Sequence, residues 1–230
     1  MKKYFPYILI GAGIVIIIVA LFQNITTDYY QHRIMEEYSE YISELKTLET
    51  ADKQEHSEIE NEEKIEISSE KEQEDEKEPK TVEDEINERK KLFGGQEISG
   101  IIEIPKINVG AAILEGTDDK ALKYAVGHYP ETANPGEQGN CVLLGHRNYV
   151  YGHFFRRIDE LEIGDEIIIR KDTYTYTYEV TESFVVSPEE TWVLNDTGNA
   201  EITMITCTPI GIYTDRLVVK AVLLDEGSNN

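Results

Sequence analysis

The stretch TYTYTYEVTESFVVS, residues 173–187, constrains the fold of this chain more than any other segment. Tyr, Val and Phe alternate with Thr, Glu and Ser along most of its length. Strict alternation places successive side chains on opposite faces of a strand, so one face can pack on a core while the other meets solvent. The stretch predicts one or two half-buried strands and a mostly β domain.

Further β-prone runs lie on both sides of this stretch, and the segments between them carry turn residues or short helical patterns. About eight strands and two or three short helices result, which is consistent with a closed β-barrel whose rim carries a site. The predicted strands lie within SGIIEIPKINVGAAIL (two runs interrupted by Pro105), CVLLG, GDEIIIRK, EETWVLNDTGNA, EITMITC and RLVVKAVLL, and the predicted helices within DDKALKY, capped by Asp118 or Thr117, and HFFRRIDEL.

The segment EITMITCTPIGIYTDR, residues 201–216, delivers a thiol to the end of a strand. Alternation up to Cys207 predicts the strand, and Pro209 and Gly211 prevent its regular continuation. The next β run begins at Arg216 and returns antiparallel, so a thiol and a guanidinium lie on neighbouring strand ends.

A second apolar run, CVLLGHRN, ends in a Gly-His-Arg turn and offers His146 to the same rim if the strands share a sheet. A thiol becomes an effective nucleophile when a nearby imidazolium or cation stabilises the thiolate, and His146 can also protonate a leaving amine. Arg216 keeps its proton and can hydrogen-bond an oxyanion or a substrate carbonyl. Taken singly, Cys207 also fits a buried small hydrophobe, His146 a turn residue and Arg216 a surface charge.

The motifs TMITCTP, GNCVLLGHRN and AVGHYPETANPGEQGN together resemble a sortase, the membrane-anchored cysteine transpeptidase of Gram-positive bacteria. In that family the Cys closes a Thr-Leu-x-Thr-Cys strand, the His lies in a Gly-His-Arg turn and the Arg opens the next strand. Cys207, His146 and Arg216 match these positions, while Met204 replaces the usual Leu at similar volume. The resemblance covers roughly residues 99–224.

The resemblance implies a closed eight-stranded sortase barrel that cleaves a Leu-Pro-x-Thr-Gly-like motif between Thr and Gly through a thioacyl intermediate. The acyl group passes to an amine of a peptidoglycan precursor, a pilin or another surface protein. Thr206 and His128 are the predicted substrate-binding residues, with an ordered-loop role as the alternative for His128. No cofactor is expected. Calcium is the alternative, because some sortases bind it near a loop that corresponds to the one with Glu182, Glu189, Glu190 and Asp196, but the spacing matches no calcium loop with a glycine hinge.

The sequence resembles class D sortases most. Residues 81–98 contain no Asp-Pro lid motif, and the chain ends in polar DEGSNN, whereas pilus-polymerising class C enzymes usually carry a lid and often a C-terminal span. Class C remains the alternative within the family. A cysteine peptidase and an inactive binding module are the alternatives outside transpeptidation, although an inactive relative is expected to lack one of the three site residues.

Residues 1–25 contain an uncharged apolar run, YILIGAGIVIIIVALF, behind Lys2 and Lys3. The run approaches the roughly 20 residues that cross a bilayer and precedes no small-residue cleavage site, which predicts an uncleaved transmembrane anchor. The positive-inside rule places the N-terminus in the cytoplasm and the catalytic domain outside the cell. A cleaved signal peptide is the alternative.

Residues 26–91 predict a juxtamembrane helix followed by an acidic, largely disordered tether, and residues 92–230 form the catalytic domain. The helix carries a modest apolar stripe that could pair weakly with another chain: Ile34, Tyr38, Ile42, Leu45 and Leu48. From about residue 51 to 80 Glu and Lys dominate and too little apolar surface exists to offset the ordering entropy. A short helix is expected within residues 81–93.

The net charge of −23 argues against nucleic-acid binding, because phosphates need basic partners. Residues 31–91 and 92–230 each carry 22 acidic and 10 basic side chains, so both parts repel polyanions. Two cysteines provide no disulfide framework. Cys141 can in principle pair with Cys207, but its place in an apolar run favours packing in the core.

Overall fold

A computed structural model describes residues 5–59, 96–148 and 153–228 of the chain. Within these ranges, two α-helices and eight strands form the main elements, joined by short 3₁₀ helices at 105–107, 153–155, 158–160 and 191–194. The elements are α1 (Phe5–Ile59), β1 (Ile98–Ile104), β2 (Val109–Glu115), α2 (Asp119–Tyr124), β3 (Val126–His128), β4 (Gly139–Leu144), β5 (Glu166–Lys171), β6 (Tyr174–Val186), β7 (Ala200–Thr208) and β8 (Asp215–Ser228).

The eight strands close into a barrel in the order β1-β2-β3-β4-β7-β8-β6-β5. The pairs β2–β3 and β4–β7 are parallel, and the other pairs are antiparallel. The alternating stretch at 173–187 becomes the single long strand β6, paired on one side with β5 and on the other with β8. The predicted closed eight-stranded barrel with short helices is confirmed.

Apolar side chains from every strand fill the barrel, and a second, smaller cluster covers β4, β7 and β8 from outside. The barrel core includes Ile102, Ile113, Leu143, Phe155, Ile169, Tyr178, Ile202 and Met204. The outer cluster consists of Val142, Val186, Val193, Ile205 and Val218. Consecutive residues of β7 therefore face different cores, since Met204 points into the barrel and Ile205 into the outer cluster. This double burial fixes the register of β7, because a slip of one residue would exchange the two faces.

The segment EETWVLNDTGNA is the one predicted strand that the structure replaces, since it forms a 3₁₀ helix at Thr191–Leu194 and a loop. Val193 is buried in the outer cluster, while the exposed Trp192 stacks on Phe184 with ring centroids 5.6 Å apart. The tight turn directs Val193 into the cluster and Trp192 toward Phe184. It is closed by the carbonyl of Trp192, which accepts the amide of Asn195. The prediction was wrong because the apolar run is too short to distinguish a strand from a helical turn.

The helix cap predicted at Asp118 is present, and a glycine turn at Gly136 packs closely on β6. The side chain of Asp118 caps α2 by accepting the amides of Lys120 and Ala121, each at 2.9 Å. Gly136, at φ +88°, brings its loop against β6, where a Cβ would lie 2.3 Å from the ring of Tyr176. Its amide donates to the hydroxyl of Tyr178 over 2.8 Å. A residue with a side chain cannot take the place of Gly136 without displacing the loop.

Helix α1 packs on the barrel through a short stretch of its length. The side chain of Gln31 accepts the amide of Ala112 on β2 at 3.2 Å and donates to the carbonyl of Tyr124 at the end of α2. Ile34 is completely buried, and the hydroxyl of Tyr38 accepts the amide of Asp172 over 2.9 Å. The apolar stripe predicted for pairing with another chain therefore packs, at Ile34 and Tyr38, against the chain's own barrel.

The helix continues through Ile59, so residues 51–59 of the predicted tether are helical. The rest of the tether, residues 60–91, and the short helix predicted at 81–93 lie outside the described residues. Within the described ranges 5–59, 96–148 and 153–228, no helix is both long and apolar enough to cross a membrane.

Candidate active site

Cys207 and Arg216 lie directly opposite each other where β7 and β8 meet. The two strands pair antiparallel, and the last pairs of the ladder are Cys207 with Arg216 and Thr208 with Asp215. Both site residues are half-buried. The loop 209–214 reverses the chain between them, with the carbonyl of Pro209 accepting the amides of Ile212 and Tyr213. The predicted juxtaposition of thiol and guanidinium is therefore present in the backbone.

The register between β4 and β7 brings His146 to the same level of the rim. The strands are parallel, and every pair from Gly139–Ala200 to Leu144–Ile205 is offset by 61 positions. Beyond the last pair, the amide of Gly145 still donates to the carbonyl of Ile205 at 3.2 Å. Continued two residues beyond Leu144, the same offset matches His146 with Cys207, next to the Cys207–Arg216 pair.

His146 has a pKa below its ordinary value of 6.5. Partial burial is the main cause, because the imidazolium is less well solvated than in water, while the carboxylate of Asp119 on α2 acts in the opposite direction. The neutral imidazole is therefore favoured near neutral pH, and the imidazolium is a minor species there.

Arg216 is anchored at one end of its guanidinium only. Nη1 donates to the carbonyls of Asp215 at 3.0 Å and Tyr213 at 3.4 Å. The neighbouring carboxylate of Asp215 accepts the hydroxyl of Thr214 at 2.7 Å instead of pairing with the guanidinium. Among the described residues no further hydrogen bond holds Arg216, so Nε and Nη2 can donate to a bound group.

A family model described as the sortase domain matches residues 102–224, slightly more than half of the chain. The chain belongs to the sortase family. The matched range runs from β1 to β8 and contains all three of Cys207, His146 and Arg216.

Individual sortases of several classes are similar to this chain. Sortase D of Bacillus subtilis (strain 168) is 40% identical over 112 residues, which cover 48% of this chain and 54% of the relative. Sortase A of Streptococcus agalactiae serotype III (strain NEM316) is 30% identical over 137 residues, with 56% and 54% covered. The chain spans about half the length of the curated relatives it matches.

Solved sortase structures share the barrel. The sortase D5 transpeptidase of Clostridium perfringens superposes with a TM-score of 0.53 at 40% identity, covering 60% of this chain and 88% of that structure's chain. Sortase C-1 from Actinomyces oris gives a TM-score of 0.53 at 34% identity, covering 56% and 74%. The mostly β barrel is thus the fold of structures from more than one sortase class.

Thr206, predicted to bind substrate in this sortase, is only 3% exposed. Its hydroxyl donates to the carbonyl of Gly145 over 2.6 Å, which joins the residue before Cys207 to the residue before His146. This contact holds two strand ends together. A direct contact between Thr206 and substrate stays a prediction.

His128, the second predicted substrate-binding residue, is buried at the end of β3. Its Nδ1 lies 2.7 Å from Oε2 of Glu115, and its Nε2 lies 2.9 Å from the carbonyl of Ala133 and 3.1 Å from the hydroxyl of Thr132. Both ring nitrogens therefore contact groups of the protein, and only 2% of the residue is exposed. These contacts fit the ordered-loop alternative for His128.

Cys141 lies in the barrel core of the sortase domain, 1% exposed and unpaired with Cys207. Burial raises the pKa of its thiol far above the ordinary value, so the thiol stays protonated. The predicted packing role of Cys141 is confirmed.

The carboxylates of the loop after β6 hydrogen-bond to their near neighbours. Glu189 accepts the hydroxyl of Ser187, Glu190 accepts the indole N–H of Trp192, and Asp196 accepts the amide of Gly198. In the part of the chain that the structure describes, no three His, Cys, Asp or Glu side chains are grouped closely enough to hold a metal ion.

Arg147, for which the sequence predicts no role, is a buried residue of the same rim. Only 7% of it is exposed, and its guanidinium contacts the hydroxyl of Thr208, the carbonyl of Arg156 and the carboxylate of Asp159. Arg147 is the last residue of the Gly-His-Arg turn, so the sequence already showed it next to His146. The carboxylate partner of Arg147, Asp159, lies 12 positions along the chain, whereas Thr208 lies 61 positions away, so the contact with Thr208 is visible only in the fold.

Proposed function

We propose that this sortase is a cysteine transpeptidase in which Cys207 is the nucleophile, His146 the general acid and base, and Arg216 the group that holds the substrate carbonyl. One observation supports the proposal above all others. It is the pairing of Cys207 with Arg216 in the β7–β8 ladder, beside a β4–β7 register whose continuation meets His146 at the level of Cys207.

In the acylation step, the thiolate of Cys207 attacks the carbonyl carbon of the residue before the scissile bond. A tetrahedral oxyanion forms, and the free donors of Arg216 hydrogen-bond to it. The carbon–nitrogen bond then breaks, and the imidazolium of His146 gives its proton to the departing amine. The products of this step are a thioester on Cys207, a free amine and a neutral His146.

In the transfer step, an incoming amine attacks the thioester carbonyl while His146 takes a proton from it. The carbon–sulfur bond breaks, Cys207 leaves as a thiolate, and a new amide joins the two partners. The enzyme returns to the thiolate–imidazolium state, so the cycle consumes no co-reactant. Water in place of the amine would give hydrolysis through the same intermediate.

We propose a Leu-Pro-x-Thr-Gly-like sorting motif as the substrate, cleaved between Thr and Gly, with an amine of the cell wall or of another surface protein as acceptor. The class D assignment is supported by 40% identity to sortase D of Bacillus subtilis and to the Clostridium perfringens sortase D5 transpeptidase. The similarity to a class C structure, sortase C-1 of Actinomyces oris, keeps the pilus-polymerising class as the alternative.

We also propose that residues 1–25 anchor the sortase in the cell membrane with the barrel outside. Large apolar side chains of α1 are exposed along this part of the helix, among them Ile16, Ile17 and Phe22 at 58% or more. Lys2 and Lys3 precede the run and favour a cytoplasmic N-terminus.

The nucleophile is tested by two matched cysteine substitutions. Cys207→Ala is expected to abolish the acyl adduct that mass spectrometry detects when the purified chain is mixed with a sorting-motif peptide. Cys141→Ala removes a thiol of equal size from the core and is expected to retain the adduct, with some loss of stability. An adduct on Cys207→Ala, or its loss on a folded Cys141→Ala protein, would contradict the assignment.

A further inference from the structure

Two side-chain contacts flank Cys207 and His146, one on each side of the pair. Before the pair, the hydroxyl of Thr206 donates to the carbonyl of Gly145 at 2.6 Å. After the pair, Nη1 of Arg147 donates to the hydroxyl of Thr208 at 2.8 Å. Each contact therefore joins the chain neighbours of the two site residues.

We propose that Arg147 is a positioning residue for the sortase reaction: through Thr208 it fixes the spacing between His146 and Cys207. The inference rests on the proposed transpeptidase function, because it assigns a purpose to a defined spacing of these two residues. Arg147 is not itself placed to touch substrate, since it is buried and its guanidinium is occupied by protein groups.

The guanidinium of Arg147 has a fixed place because each of its three nitrogens has a partner. Nε donates to the carbonyl of Arg156 at 3.1 Å, Nη1 to Thr208, and Nη2 lies 2.7 Å from Oδ2 of Asp159. A buried cation is tolerated only when paired and hydrogen-bonded, and the planar fork of arginine directs its donors rigidly. Thr208 is therefore held against a support that includes the 3₁₀ helix at 158–160.

The backbone ladders alone do not fix this part of the site. Strand β4 ends at Leu144, so His146 lies beyond the last regular pair with β7. Strand β7 ends at Thr208, immediately before Pro209. The hydrogen bond between Arg147 and Thr208 joins the two chain segments beyond the point where β4 and β7 stop pairing. A displacement of about 1 Å between reacting groups can cost on the order of 10²-fold in rate, so a contact here has a direct kinetic effect.

The tight packing of Gly145 adds to the same constraint. A Cβ at this position would lie 2.7 Å from the ring of Phe155, which is completely buried. Gly145 thus lets the turn approach the core closely. His146 lies between Gly145, whose position is fixed by packing, and Arg147, whose position is fixed by hydrogen bonds.

The test uses Thr208→Val, which keeps the shape of the side chain and removes its hydroxyl, and Thr208→Ser, which keeps the hydroxyl. Thr181→Val is the matched control, because the hydroxyl of Thr181 also makes one hydrogen bond, to the carbonyl of Lys220 at 3.3 Å, within the β6–β8 sheet. Each variant is prepared in the full chain, and its fold is checked by circular dichroism.

The decisive readout is the rate at which iodoacetamide alkylates Cys207 across a range of pH, in a Cys141→Ala background. Thiolate reactivity depends on a nearby imidazole, so the wild-type profile is expected to contain a step that His146→Ala removes. Thr208→Val is expected to shift the profile toward that of His146→Ala and to slow acylation by about 10-fold or more. Thr208→Ser and Thr181→Val are expected to keep the wild-type profile.

A profile for Thr208→Val that matches Thr181→Val would overturn the proposal, since loss of a hydrogen bond would then have no effect specific to the site. The proposed function fails separately: wild-type protein that forms no acyl adduct with any sorting peptide would contradict transpeptidation. The alkylation profiles would still decide whether Arg147 and Thr208 control the spacing of the pair.

Discussion

His146 and Arg216 have different roles in the proposed mechanism. Arg216→Lys keeps a positive charge but loses the planar fork, so it is expected to slow acylation despite conserved charge. His146→Ala removes the general acid and is expected to cost more, about 10²–10⁴-fold. Single-turnover acylation measures both.

A thioester substrate separates the two roles, because its departing thiol needs no protonation. It is expected to restore part of the rate of His146→Ala and none of the rate of Arg216→Lys. Equal rescue of the two variants would show that the roles are assigned wrongly.

The carboxylate of Asp119 affects the pH response of His146. The carboxylate of Asp119 raises the pKa of His146 against the larger effect of burial, so Asp119→Asn is expected to lower that pKa further. Less imidazolium then exists at neutral pH, and acylation slows there while its profile moves to lower pH. Titration of the His146 ring protons by NMR measures the pKa directly.

Glu131→Gln, which removes an exposed carboxylate from the loop after β3, is the control for this titration. Because Asp119 is exposed, added salt should weaken its effect. A pKa of His146 that is the same in Asp119→Asn and in wild-type protein at low salt would refute the electrostatic role of Asp119. The depressed pKa has a stability consequence as well: the contribution of neutral His146 is complete above about pH 6.5 and is lost as the pH falls through the folded-state pKa.

At the scale of elements, α1 acts as a support for the open part of the β2 edge. Strand β3 pairs with β2 only from Ile113 onward. Just before that point, the side chain of Gln31 accepts a hydrogen bond from the amide of Ala112. Gln31→Ala leaves this buried amide without its partner, at a cost of about 1–3 kcal/mol. Thermal unfolding of the full chain in detergent should show a fall of several degrees.

His32→Ala is the control for Gln31→Ala, because His32 is the next residue of α1 and its side chain is 77% exposed. Hydrogen exchange provides a local readout, since the amide of Ala112 should exchange faster in Gln31→Ala alone. Unchanged exchange at Ala112 would mean that the packing of α1 does not depend on Gln31.

The sequence predicts the elements of the barrel better than the contacts between them. Alternation identified β6, and strand ends identified the place of Cys207, His146 and Arg216, because period and turn chemistry are local properties. The contact of Gln31 with β2 could not be predicted, because no sequence pattern shows that a glutamine on a polar helix will bind the edge of a sheet. Arg147 and Thr208 meet only because two parallel strands run with a fixed offset, which is a property of the assembled sheet.

On the scale of the whole molecule, two groups of described residues that precede β1 contact the body that carries the barrel. Helix α1 packs on it from Gln31 to Tyr38, and the side chain of Gln96 then donates to Asp118 at 2.7 Å. Helix α1 thus joins the apolar run directly to residues that pack on the barrel.

The packing of α1 consequently fixes the distance along the helix between the apolar run and the barrel. Nine residue steps along the helix lead from Phe22 to Gln31, which is roughly 14 Å at the rise of an α-helix. With residues 1–25 in a membrane, as proposed above, a helix of this length would hold the barrel close to the bilayer surface.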